Sequence, residues 1–123
     1  MKLFPSLQKR YAKERFTAVQ AQRLAQEIAF GPVVFQVSRL MLKFGIFHLL
    51  SDNREGLSLE QISQKTELSR YAAQVLLEAS LTIGTVLVKD DQYILAKAGW
   101  FLLNDEMAQV NMNFNQDVNY KGL

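Results

Sequence analysis

Residues 57–95 read LSLEQISQKTELSRYAAQVLLEASLTIGTVLVKDDQYIL. Ser58 stands three residues before Gln61, the spacing at which a hydroxyl and a side-chain amide cap a helix start reciprocally. This predicts a short helix over Leu59–Lys65. Thr66-Glu67-Leu68 follows as a turn. Ser69 offers a second N-cap, and the helix it begins runs to about Ile83, where Gly84 supplies a stop. Its inward stripe is read as Ala72, Val75, Leu76, Ala79 and Ile83, which leaves Arg70, Gln74, Leu77 and Leu81 outward. Thr85–Val88 is β-branched and apolar and reads as a strand. Lys89-Asp90-Asp91 reads as a turn and Gln92–Leu95 as the returning strand. Helix, turn, helix and hairpin in this order make a winged helix-turn-helix. The fold class expected is therefore mostly α with a small β-hairpin.

Upstream, apolar residues recur in steps of three and four from Tyr11 to Phe30, which predicts a helix that Gly31-Pro32 breaks. Pro32 then suits the first turn of a second helix over Pro32–Leu50. On that helix Gln36, Arg39 and Lys43 form one narrow polar stripe, and most of the remaining circumference is apolar. A helix so apolar must be buried on more than one side. One side has this domain's core, and the other is expected to meet a second protein surface. Val33, Val37, Leu40, Met41 and Phe44 are the candidate dimer-interface residues. The winged unit is thus preceded by two helices.

Downstream, Ala98 to about Met107 reads as a helix on which Trp100 and Phe101 are core residues. The Asn-rich tail from Asn111 reads as irregular or as a short frayed helix. Residues 1–110 form the expected domain, and 111–123 the start of a linker.

Composition narrows the chemistry. With 123 residues the chain is one ordinary domain, and 49% hydrophobic content excludes disorder as its main state. It has no cysteine, hence no disulfide, thiol nucleophile or thiolate metal site, and its single histidine, His48, excludes a multi-histidine cluster within one copy. The six glycines are scattered without a Gly-x-Gly phosphate loop. No nucleophile–base spacing occurs, so no catalytic, cofactor-binding or metal residue is assigned. Asp90-Asp91 and Asp105-Glu106 read as solvated surface acids. Residues 1–43 hold eight basic and two acidic side chains and residues 44–123 six and ten, so the two parts carry opposite charge. An N-terminus without a leader-like apolar run predicts a cytoplasmic protein. Arg39 and Lys43 inside the most apolar segment argue against a membrane span.

With the fold in place, several segments resemble those of S-adenosylmethionine-dependent O-methyltransferases of the caffeate-type plant and bacterial family. Phe44-Gly45-Ile46-Phe47-His48-Leu49-Leu50 is similar to that family's Gly-Ile-Phe segment. Leu57-Ser58-Leu59-Glu60-Gln61-Ile62 is similar to one of its helix starts, and Val75-Leu76-Leu77 through Gly84 to the following helix. Tyr93–Gly99 and Leu102-Leu103-Asn104-Asp105 continue the match, which covers about Ala29 to Leu123. Ala96 departs from the usual Thr, and His48 stands where Asp is common. The resemblance makes the two helices before the winged unit dimerisation helices and implies a homodimerisation domain that also lines the partner's acceptor pocket. S-adenosylmethionine would bind in a separate catalytic domain outside these residues, and the acceptor would be a small molecule. On the segment Asn111–Asp117, similar to the family's approach to its catalytic domain, Met112, Phe114 and Asn115 are the candidate substrate-lining residues.

Two other classes stay open at this level. One is a small winged-helix transcription regulator, against which Glu67, Glu78 and the net-acidic Lys89-Asp90-Asp91 turn weigh, because a DNA-facing surface needs cations. The other is a standalone protein-interaction adaptor.

Overall fold

The structure, a computed structural model, describes residues 4–121 and the side chains of residues 4–118. The chain divides into two compact units, Met1–Gly31 and Pro32–Leu123. It is mostly helical with one two-stranded antiparallel sheet, as expected from the sequence.

The first unit holds α1 (Pro5–Arg10) and the first part of α2 (Ala18–Lys43). Pro5 at the first helical position of α1 needs no amide partner. The Arg10 and Arg15 guanidinium groups lie 5.8 and 5.9 Å from the Tyr11 ring, and Arg15 is also 5.5 Å from Phe16. The start of α2 is set by a capping box. The Thr17 N–H donates to Gln20 Oε1 at 3.0 Å, and the Gln20 N–H donates to Thr17 Oγ1 at 3.2 Å. The helix therefore begins at Ala18 rather than Tyr11.

Gly31-Pro32 does not break α2, contrary to the sequence expectation; Pro32 lies inside the helix. Proline removes one i→i−4 hydrogen bond, here the one that the Ile28 carbonyl would accept. Ile28, Pro32 and Val33 are all exposed, so water can satisfy that carbonyl. The break falls instead at Gly45, whose φ of +75° is a left-handed conformation that only glycine adopts cheaply. There the chain bends by 59° into α3 (Ile46–Asp52). The predicted Pro32–Leu50 helix is thus the end of one helix and most of another.

In the second unit, α4 (Leu59–Thr66) starts on the expected capping box: the Gln61 N–H donates to Ser58 Oγ at 3.2 Å and the Ser58 N–H to Gln61 Oε1 at 2.9 Å. Ser69 caps α5 (Arg70–Ile83) by accepting from the Ala72 N–H, and Gly84 ends it. β1 (Val86–Lys89) and β2 (Gln92–Leu95) pair in register from Val86 opposite Leu95 to Lys89 opposite Gln92. Asp90 and Asp91 close the hairpin with φ of 51° and 62°, the pattern of a type I′ turn. Leu57 extends the sheet by exchanging two backbone hydrogen bonds with Tyr93, at 2.7 and 3.1 Å. Beyond the hairpin lie α6 (Lys97–Asn104), α7 (Glu106–Asn115) and a π-helical turn (Gln116–Lys121). The Asn-rich tail is thus helical through Asn115.

The core of this unit is built from Met41 on α2, Ile46, Phe47 and Leu50 on α3, Ile62 on α4, Ala73, Leu76 and Leu77 on α5, and Val86 and Leu103. Leu77, expected outward, is completely buried, and Val75, expected inward, is exposed. The inward arc of α5 is Ala73, Leu76, Leu77 and Ser80, one residue out of phase with the sequence reading. Trp100 and Phe101, expected in the core, are both exposed and meet edge to face at 5.2 Å; Gly99 and Leu103 form the buried side of α6 instead.

Candidate interaction surface

An apolar side chain is conspicuous only when neither its own chain nor a polar neighbour covers it. Along α2 this holds for a succession of residues. Val19 is 70% exposed, Ile28 69%, Phe30 61% and Val33 58%, with Leu24, and Phe16 just before the helix, exposed to a lesser degree. Every described residue from Phe4 to Phe30 is exposed. A helix of this composition cannot be stable in water by propensity alone. Its stability depends on packing of its apolar side chains, which Met41, Val37 and Leu40 begin in the second unit.

On the second unit the same helix becomes two-sided. Met41 is fully covered and belongs to the core, while Val37 and Leu40 are half-buried and pack against it. Phe44 remains exposed with the Lys43 ammonium 5.8 Å from its ring. Of the five candidate interface residues, Val33 and Phe44 therefore offer open surface, Val37 and Leu40 offer part of theirs, and Met41 offers none. The polar stripe is held by a hydrogen bond from Arg39 Nε to Gln36 Oε1 at 3.1 Å.

The three candidate substrate-lining residues all lie on α7. Met112 lines a hollow of about 280 Å³ with Leu42, His48, Leu103, Gln109 and Asn113. Phe114 is exposed elsewhere on α7, and Asn115 donates its amide to the Asn111 carbonyl at 3.0 Å. His48 is exposed at this hollow. Gln109 Nε2 donates to the Leu103 carbonyl and so ties α7 to α6.

The surface on which a DNA reader would rely is otherwise engaged. Arg70 Nε donates to Glu60 at 2.6 Å in an exposed ion pair, and Gln74 donates to Glu78 at 3.0 Å. The hydrogen bond to Glu60, followed by its charge, raises the Arg70 guanidinium above its ordinary range. Among the described residues no group of His, Asp and Glu is placed to hold a metal ion. No single helix among them is long and apolar enough to cross a membrane; α2 and α3 reach that threshold only together, across their 59° bend.

No curated protein matches the chain. Solved structures do. The S-adenosylmethionine-dependent methyltransferase SibL in its apo form is 26% identical, with a TM-score of 0.63 over 76% of this chain and 27% of its own. A pericyclic reaction enzyme and LepI in complex with SAM, each 19% identical with a TM-score of 0.65, share the fold over 89% of this chain. The match covers 26% and 27% of those chains, so this chain spans about a quarter of the length of the structures it resembles. Residues 22–93, which run from the exposed part of α2 to the hairpin, match the family model of the Dimerisation2-like domain, and the chain belongs to that family.

Proposed function

We propose that this chain is the dimerisation module of an S-adenosylmethionine-dependent methyltransferase. Two copies form a cytoplasmic homodimer in which each covers the apolar surface of the other's α2. The observation that carries this reading is the run of exposed apolar side chains on α2, which falls largely within the region matching a dimerisation family. Val33, Val37, Leu40 and Phe44 contribute to the interface as far as they are open, and Val19, Ile28 and Phe30 extend it. Met41 supports it from within the core. The likeness to SibL supports the methyltransferase part. The segment carrying Met112, Phe114 and Asn115 leads toward the acceptor, a small molecule, and Met112 beside His48 is its best-placed contact. The helix-turn-helix with its hairpin wing serves as scaffold. Nucleic acid is not its partner, because Arg70 and Gln74 are engaged and the wing tip is acidic.

Two hollows of this chain are poor matches for the methyl donor. The hollow lined by Leu50, Arg54, Lys97 and Trp100 would set its sulfonium charge against two cations, and no carboxylate lines it to accept from the ribose hydroxyls. The hollow at His48 has no carboxylate either. The donor belongs to a separate domain.

Sedimentation velocity of the purified chain tests the first half of the proposal. A dimer at micromolar concentration is expected, and a single-copy species at high concentration refutes it. Sequencing gene and transcript beyond codon 123 tests the second half. A continuous frame encoding a glycine-rich strand–helix unit is expected. A stop codon, with no donor-binding protein that assembles with this one, refutes the methyltransferase role.

A further inference from the structure

A second feature lies apart from α2. α3, the loop after it, β2 and the start of α6 enclose a hollow of about 300 Å³ lined by Leu50, Ser51, Arg54, Ile94, Leu95, Ala96, Lys97 and Trp100. Its apolar surface comes from the half-buried Ile94 and Leu95, with Leu50 fully covered behind them in the core. At its edge stand two exposed cations, Arg54 and Lys97, neither with an ion pair or side-chain hydrogen bond among the described residues. No acidic side chain lines it; Asp52 and Glu55 line the neighbouring loop hollow with Arg54. Trp100, the protein's one tryptophan, is 43% exposed here instead of filling the core.

Small-molecule sites combine apolar walls with a few convergent polar groups that fix orientation. The walls here fit a flat hydrocarbon, and the indole supplies a face or edge for a ring. A guanidinium and an ammonium select a negative charge, and the guanidinium can hold both oxygens of a carboxylate. We infer that this hollow is a binding site for a small planar aromatic carboxylate, its ring between Trp100 and the Ile94–Leu95 wall and its anion between Arg54 and Lys97. The inference does not depend on dimerisation through α2 or on the methyltransferase reading.

The single tryptophan makes the test direct. In a nitrogen-15 correlation spectrum of the purified chain, one indole N–H resonance reports on this hollow. Titration with 2-naphthoate is expected to move that resonance saturably, together with the Ser51 and Lys97 amides. The neutral isostere 2-naphthamide is expected to bind at least about fivefold more weakly, because it lacks the charge that the two cations recognise. Lys97→Gln and Arg54→Gln lie at exposed positions that leave the core intact, and each is expected to weaken naphthoate by a similar factor while the rest of the spectrum is unchanged. Equal binding of acid and amide, non-saturating shifts, or naphthoate affinity unaltered in both variants would each overturn the assignment.

Discussion

Ile28 gives the sharpest test of the interface, because it lies on the exposed part of α2 and outside the core cluster. Fully burying an isoleucine side chain is worth about 1.5–3 kcal/mol. At 69% exposure, the share still available to a partner is about 1.5 kcal/mol, of which Ile28→Ala removes most, about 1.3 kcal/mol. A two-fold symmetric interface counts each change twice, so the dimer loses about 2.6 kcal/mol, or roughly 80-fold in dissociation constant. Alanine is also the better helix former, so α2 itself is not weakened. Ile28→Asp adds the cost of desolvating a carboxylate against an apolar partner and raises the loss to about 10³-fold or more. Sedimentation velocity over a concentration series reads both constants, and thermal melting of the monomeric variants checks that the core of Pro32–Leu123 is intact. If Ile28→Ala and Ile28→Asp dimerise as tightly as the parent chain, this face of α2 is not the interface, and the energetic argument for the dimer fails with it.

The remaining predictions concern the second unit. A Cβ on Gly99 would stand 2.5 Å from the Thr85 carbonyl oxygen and 2.6 Å from Leu95 Cδ1, and the carbonyl is backbone that cannot yield cheaply. Gly99→Ala is therefore expected to destabilise by about 2 kcal/mol in denaturant titration, even though alanine favours the helix. Ser80 is fully buried and its Oγ has no hydrogen-bond partner, so Ser80→Ala should stabilise by about 1 kcal/mol; a loss of stability would mean that the hydroxyl is satisfied. Asp91→Gly places glycine where φ is 62° in the hairpin turn and should raise the melting temperature by a few degrees, about 0.5–1 kcal/mol. The raised Arg70 pKa implies stability that is present through the neutral range and is lost as pH rises through the arginine range. Arg70→Gln should therefore leave the pH profile of melting flat relative to the parent between about pH 6 and 9.

Much of the second unit was legible because its boundaries are written in local chemistry. Ser58 with Gln61, Ser69 and Gly84 each act within four residues, and the hairpin needs only β-branched runs around a tight turn. The same rule, applied at Thr17 and Gln20, would have placed the start of α2 correctly; there the periodic apolar pattern reaching back to Tyr11 obscured it. The errors arose where a local preference meets an environment that sequence does not display. Pro32 breaks a helix whose freed carbonyl is shut away from water, and at the exposed Ile28 it is not. Gly45 is an equally visible signal, and its left-handed φ makes it the real corner, but apolar continuity through Phe44 and Ile46 concealed it.

The phase of α5 has a different lesson, one that bears on the surface itself. Its sequence offers apolar residues all the way from Ala72 to Ile83, and two arcs one residue apart are almost equally apolar. Core packing selects the arc with Leu77 and Ser80, which puts an unsatisfied hydroxyl inside and leaves Val75 outside. Leu77 and Leu81, expected outward, are thereby withdrawn from the surface, and Tyr71, Val75 and Glu78 stand among the exposed residues. A protein partner is then argued from α2 alone, where no rotation of the helix can hide the apolar surface because Val19, Leu24, Ile28, Phe30 and Val33 project in several directions. A helix apolar on most sides asks for cover on most sides. A single flat neighbour does not supply that, whereas a partner whose own helices wrap around it does, and a second copy of this chain carries helices with the same unmet demand.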